Sequence, residues 1–257
     1  MVPNLTICRK AACIALLAVC PLGMAADVPT ARAIVERAID QTRGATSFSV
    51  MAMTIHRPTW QRTSRLEAWT RGREDALIRF TAPARDAGNA TLKQGEKMWT
   101  FNPQLNRTIR LPFSLMSQSW AGSDFSYNDL SRTDNLLHEY DLSLESTRQQ
   151  DGHTVYTIVA TPHDDAPVVW GQERLVIRDD HVLLEQTYFD QDLEPVKKME
   201  ALEVAEVGGR MMAKRMRMFE LDAQDSYTEL VWQEADFDVQ LNDQLFTLFS
   251  LRQGGRR

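Results

Sequence analysis

Residues 196–239 read VKKMEALEVAEV-GG-RMMAKRMRMFEL-DAQDS-YTELVWQEADFDV, three runs of a dozen residues divided by Gly208-Gly209 and by a short polar stretch. Each run is rich in strand-forming residues, and paired glycines are a hairpin signal. Connections this short leave no room for crossover helices, so the strands pair antiparallel. The rhythm extends back through the chain. One series of expected strands covers 46–57, 60–71, 73–81, 89–94, 96–102 and 106–111. A second covers 140–150, 153–162, 168–179, 182–190, 196–207, 210–221 and 227–239. Arg71-Gly72, Asn102-Pro103, Asp151-Gly152 and Asp179-Asp180 supply further turns. The chain is therefore mainly β and antiparallel.

Two short helices frame the strands. Thr30 is a candidate N-cap for a helix whose apolar face is Ile34, Val35, Ala38 and Ile39, stopped at Arg43-Gly44. Residues 243–251 read as a short C-terminal helix or turn, with a frayed tail at 254–257. Between the strand series, Leu111–Leu137 follows neither period. It mixes polar residues with Phe113, Leu115, Met116, Trp120, Phe125 and Tyr127. A long irregular connection of this kind is a candidate lid.

All three cysteines, Cys8, Cys13 and Cys20, lie in the first 20 residues of 257. A disulfide scaffold, a thiolate zinc site and a cysteine nucleophile are thus excluded from the remainder. Residues 1–26 read as a signal peptide: Arg9 and Lys10, an apolar run from Ala11 to Leu22, then Gly23, Ala25 and Ala26 for cleavage. The run is too short to span a bilayer. A lipoprotein reading through Cys20 is weaker, because Val19 stands where a small residue is usual. The expected organisation is a leader, 1–26, and a single domain, 27–257, exported to a periplasm without a transmembrane span. Removing Arg9 and Lys10 from the 29 basic residues leaves 27 against 35 acidic, a balance of −8. That charge disfavours nucleic acid and simple adhesion to anionic lipid.

Several strands are apolar on both faces. Phe48, Val50 and Ala52 alternate with Met51, Met53 and Ile55. Such a sheet must be covered on both sides, and the first helix covers only part of one. Nine methionines and six tryptophans follow the leader. Each could simply fill core, but methionine adapts to apolar partners of variable shape. Together they point to a sheet curved around a cavity for lipid or acyl chains. Candidate lining residues are Met51, Met53, Trp69, Phe80, Trp99, Met116, Trp120 and Phe125.

Catalytic signatures are lacking: there is no HExxH, GxSxG, GxGxxG or Walker loop. His138-Glu139 with Asp141, and His163-Asp164-Asp165, are dense enough to consider for a metal but read as solvated charge. No cofactor, metal site or catalytic residue is expected. Arg107 with Arg110, and Lys214 with Arg215 and Arg217, could meet a lipid phosphate at a cavity rim, though solvent-facing positions explain them as well.

The segments Met98–Pro103, Arg107–Pro112, Met116–Trp120 and above all Gly122-Ser123-Asp124-Phe125-Ser126-Tyr127-Asn128-Asp129-Leu130 resemble the LolA-like outer membrane lipoprotein-sorting protein family. The resemblance implies a half-open antiparallel β-barrel (LolA/LolB-like) with a helical and irregular lid over an apolar concavity. It implies a non-enzymatic carrier of lipid or lipoprotein cargo toward the outer membrane, with an inner-membrane RND-type transporter as a possible partner. No residue here matches the cargo-gripping arginine of the well-studied carriers. Rival readings are an envelope-stress sensor acting through a protein partner and, less well supported, an envelope lipid hydrolase.

Overall fold

The computed structural model describes residues 29–131, 135–223 and 225–253. The expected leader, which holds the three cysteines, and the expected tail 254–257 lie outside the described residues. Helix α1 (Ala31–Arg43) is capped by the Thr30 side chain, which accepts from Ala33 N at 3.2 Å. Six strands follow: β1 (Thr46–Arg57), β2 (Trp60–Arg71), β3 (Asp75–Ala82), β4 (Ala90–Gln94), β5 (Lys97–Asn102) and β6 (Arg107–Arg110). Next come a 3₁₀ turn at Phe113–Leu115 and helices α2 (Tyr127–Ser131) and α3 (Asn135–His138). The second series is β7 (Tyr140–Gln150), β8 (His153–Pro162), β9 (Gln172–Arg178), β10 (Leu183–Phe189), β11 (Pro195–Val207), β12 (Arg210–Glu220) and β13 (Tyr227–Phe237). A 3₁₀ turn (Asp243–Phe246) and α4 (Leu248–Gln253) complete the described residues.

Every strand expected from sequence is present, with shifted ends. The largest shift is at 168–171, where the chain stays irregular ahead of β9. A Cβ on Gly171 would lie 2.2 Å from Asp190 O, so the backbones touch where a side chain would sit. Gly208 and Gly209 both take positive φ, 60° and 78°, as a tight β11–β12 turn demands.

The strands form one antiparallel sheet in the order β6-β5-β4-β3-β2-β1-β13-β12-β11-β10-β9-β8-β7. Two meanders thus meet at the β1–β13 seam, where Met53 faces Leu230 and Ile55 faces Thr228. The free edges are β6 and β7, and the segment between them, 111–139, runs from one edge to the other. Arg107 and Arg110 are exposed on one edge, and most of β7 is exposed on the other. Charge and polarity along an unpaired edge resist sheet-to-sheet association. The fold is an open antiparallel β-barrel, as expected.

Both faces of the sheet are buried, as the double alternation in β1 requires. On the inner face Met51, Met53, Ile55, Leu66 and Phe80 join Tyr188, Met199, Met218 and Leu230 from the other arm. Helix α1 packs Ile34, Val35, Ala38 and Ile39 against Ile158, Leu175 and Ile177. On the outer face Phe48, Val50, Trp69, Leu77 and Leu92 are covered by Leu245, Phe246 and Leu251 of the C-terminal segment.

Candidate functional site

The 111–139 segment earns its position through the string Gly122–Leu130. Trp120 and Phe125 turn inward around Ala121 and Gly122, both at positive φ, and Trp120 N donates to Phe125 O at 2.7 Å. Trp120 is 3% exposed, and its Nε1 donates to Thr91 Oγ1 at 3.1 Å, which satisfies the indole's one polar group. Asp124 ties this turn to the seam. Arg57 grips both its oxygens at 3.0 Å, and the buried Thr228 hydroxyl donates to Oδ2 at 2.6 Å. Ser126 and Asp129 then form a reciprocal cap at the start of α2. Ser126 N donates to Asp129 Oδ2 at 2.7 Å, and Asp129 N donates to Ser126 Oγ at 3.1 Å. Arg32 of α1 donates to Leu137 O at 2.7 Å, fastening α3.

Beneath this segment lies a cavity of about 340 Å³. Its walls come from α1 (Val35, Ile39), both arms of the sheet (Leu66, Ala68, Met199, Met216) and the spanning segment (Trp120, Phe125). The eight residues singled out from sequence divide into four groups. Met51, Trp120 and Phe125 line the cavity. Met53 and Phe80 belong to the same inner cluster, with Phe80 5.5 Å from Trp120 ring to ring. Trp69 and Trp99 lie elsewhere, packed in the outer cluster under the C-terminal segment. Their strands alternate, and Leu66 and Ala68 take the inner face instead. Met116 is buried in the spanning segment, where its carbonyl accepts from Asn128 N.

Sequence reasoning missed the polar wall of the cavity. Glu173, on β9 in phase with Leu175 and Ile177, is 6% exposed and lines the cavity. Burial is the main influence and raises its carboxyl to about 7; bonds from Tyr140 and Gln186 pull the other way, Asp129 adds to the rise and Lys197 opposes it. The Lys197 ammonium on β11 meets Asp129 Oδ2 at 2.7 Å, and both side chains are over nine-tenths buried. The rings of Trp170 and Tyr188 stand 5.9 and 5.4 Å from that ammonium. Burial first, then the acidic neighbours Asp129 and Glu173, hold the Tyr188 hydroxyl well above its ordinary range.

A carboxyl raised on folding stabilises the fold below its unfolded value, near 4.5, and that contribution is lost as pH rises through 7. Glu173→Gln removes the penalty. It gains about 1–3 kcal/mol over the parent at pH 8 and little at pH 4.5, read by urea unfolding. Parallel profiles for the two proteins would show that Glu173 is not buried as an acid.

The basic clusters are engaged with acids or exposed. Lys214 pairs with Glu203 at 2.9 Å, and Arg217 pairs with Glu229 at 2.6 Å while covering the Tyr227 ring. Among the described residues the trio with metal-like spacing is His153, Asp179 and Asp180. Asp179 accepts from Thr154 N and meets His153 Nδ1, and Asp180 is gripped by Arg178, so the trio fixes the β9–β10 turn. His163 Nε2 lies 3.4 Å from the exposed Asp141.

A family model described as an uncharacterized protein matches residues 72–253, which is more than half of the chain. The chain belongs to this DUF1329-like family. Its fold is that of the LolA superfamily, as the Gly122–Leu130 string implied. A DUF1329 family protein from Desulfovibrio piger is similar at 24% identity and TM-score 0.76, covering 87% of this chain and all of that one. A Vibrio parahaemolyticus structure named for an outer membrane lipoprotein-sorting protein domain gives 20% and 0.72, over 87% of this chain and 100% of its own. LolA superfamily protein NE2245 from Nitrosomonas europaea gives 22% and 0.70, over 86% of this chain and 98% of its own. No curated protein matches the chain in sequence. Among the described residues no helix is long and apolar enough to cross a membrane.

Proposed function

We propose that the chain is a non-catalytic periplasmic carrier that shelters acyl chains of lipid or lipoprotein cargo. In this reading a leader directs export, residues 27–257 form one carrier domain, and cargo passes toward the outer membrane from an inner-membrane RND-type transporter. The observation that carries it is the apolar cavity beneath a segment stretched between the two free edges of the sheet. An acyl chain leaving water gains roughly 0.8 kcal/mol per CH₂ buried, so a site of this kind holds a chain without covalent chemistry. Trp120 and Phe125 occupy the wall when cargo is absent and compete with it, which permits release. Met51, Met199, Met216 and Met218 supply an adaptable surface for chains of differing length.

The test is extraction of the mature protein from its native periplasm, followed by mass spectrometry. Acyl-bearing molecules are expected at close to one per protein. Ala68→Phe projects a ring into the cavity and is expected to cut bound acyl material more than tenfold, at a stability cost of about 1–3 kcal/mol. A protein that emerges empty and takes up no lipid from vesicles would end the carrier reading.

A further inference from the structure

The carrier reading gives no role to the buried Lys197. We propose that Lys197 is the seat for the anionic headgroup of the acyl cargo, with Asp129 as the counter-ion that the headgroup replaces. The inference rests on the carrier reading and adds the class of cargo to it.

The geometry places the two charges in order. Asp129 lines the cavity, and Lys197 sits behind it at 2.7 Å. Asp129 rides on α2 of the spanning segment, whereas Lys197 belongs to β11 of the sheet. Any movement of α2 that admits an acyl chain therefore draws Asp129 away from a lysine that stays in place. The Lys197 ammonium, packed beside Trp170 and Tyr188, then loses its ion-pair partner in a buried place, which is costly. A neutral amphiphile brings no anion to replace Asp129. A carboxylate or phosphate at the head of an acyl chain restores the pair while the tail fills the methionine-lined wall.

The remaining polar groups fit this exchange. Glu173 on β9 is faced by Tyr140 of β7, Gln186 and Tyr188 of β10, Asp129 of α2 and Lys197 of β11. With a proton on Glu173 the site carries one positive and one negative charge, and an anionic headgroup preserves that balance when it replaces Asp129. The same balance disfavours a cationic headgroup, which would leave two positive charges against none.

The experiment compares three twelve-carbon ligands, dodecanoate, dodecyl phosphate and dodecanol, by titration calorimetry at pH 6.5. The full mature protein is used alongside two variants, Asp129→Asn and the double variant Lys197→Met/Asp129→Asn. The parent is expected to bind the anions at least tenfold more tightly than dodecanol. Asp129→Asn releases Lys197 from its resident partner and widens that ratio about tenfold further. The double variant removes both charges together, so no unpaired ion is left buried, and the ratio falls to near one. Preference for phosphate over carboxylate, or the reverse, supports the proposal and identifies the headgroup. Equal binding of anions and dodecanol by the parent, or weaker anion binding by Asp129→Asn, overturns the headgroup seat and leaves the apolar carrier intact. Failure of all three ligands to bind removes both.

Discussion

Replacing Phe246 by alanine lowers the melting temperature by about 10 °C. Phe246 is 1% exposed and closes the outer face of the sheet over Phe48, Val50 and Trp69. The Arg71 guanidinium stands 4.8 Å from its ring and Gln94 donates to its carbonyl at 2.6 Å. The carbonyl contact survives truncation, whereas the ring contacts do not. A buried phenylalanine cut to alanine costs about 3–5 kcal/mol, because the site relaxes only in part. For a domain of this size each kcal/mol shifts the midpoint by roughly 2–4 °C. Scanning calorimetry reads the shift, and ligand affinity well below the midpoint stays unchanged because the cavity lies on the other face. A fall of less than 3 °C would mean that the C-terminal segment contributes little to closing the sheet.

Lys197→Met is expected to cost about 3–5 kcal/mol in urea unfolding, more than removal of any surface ion pair here. The loss is the cost of leaving Asp129 buried without its cation, with Glu173 close by. Lys197→Met/Asp129→Asn recovers most of it, because neither charge is then left alone. Arg73, which meets Glu36 and Asp40 at the surface, gives the contrast: its truncation changes stability by less than about 1 kcal/mol. Should Lys197→Met prove as mild as that, water must reach the pair and the polar wall is not closed.

All thirteen strands were legible because short turns punctuate them, and β1 announced a sheet buried on both faces. The order of those strands was not legible, because pairing β1 with β13 joins residues 171 to 190 positions apart. Without that order, alternation tells which residues share a face but not which face is concave. Trp69 and Trp99 were grouped with the inner residues for that reason. On β2 it is Leu66 and Ala68, out of phase with Trp69, that line the cavity. The polar wall left a fainter mark. Glu173 falls in phase with Leu175 and Ile177, and Lys197 in phase with Met199, so each is a charge on an otherwise apolar face. Asp129 lay inside the string that carried the family resemblance, but its partner sits 68 residues away.

The seam between β1 and β13 also orders events in time. Strand β1 acquires its second neighbour only when residues near 237 are available, and until then the first meander presents an open edge at its most apolar strand. Pairings of such long range make closure slow and place it late. Emerging from a ribosome, the chain must therefore deliver Phe237 before the sheet can unite. During that interval it is a client for whatever holds unfolded chains apart.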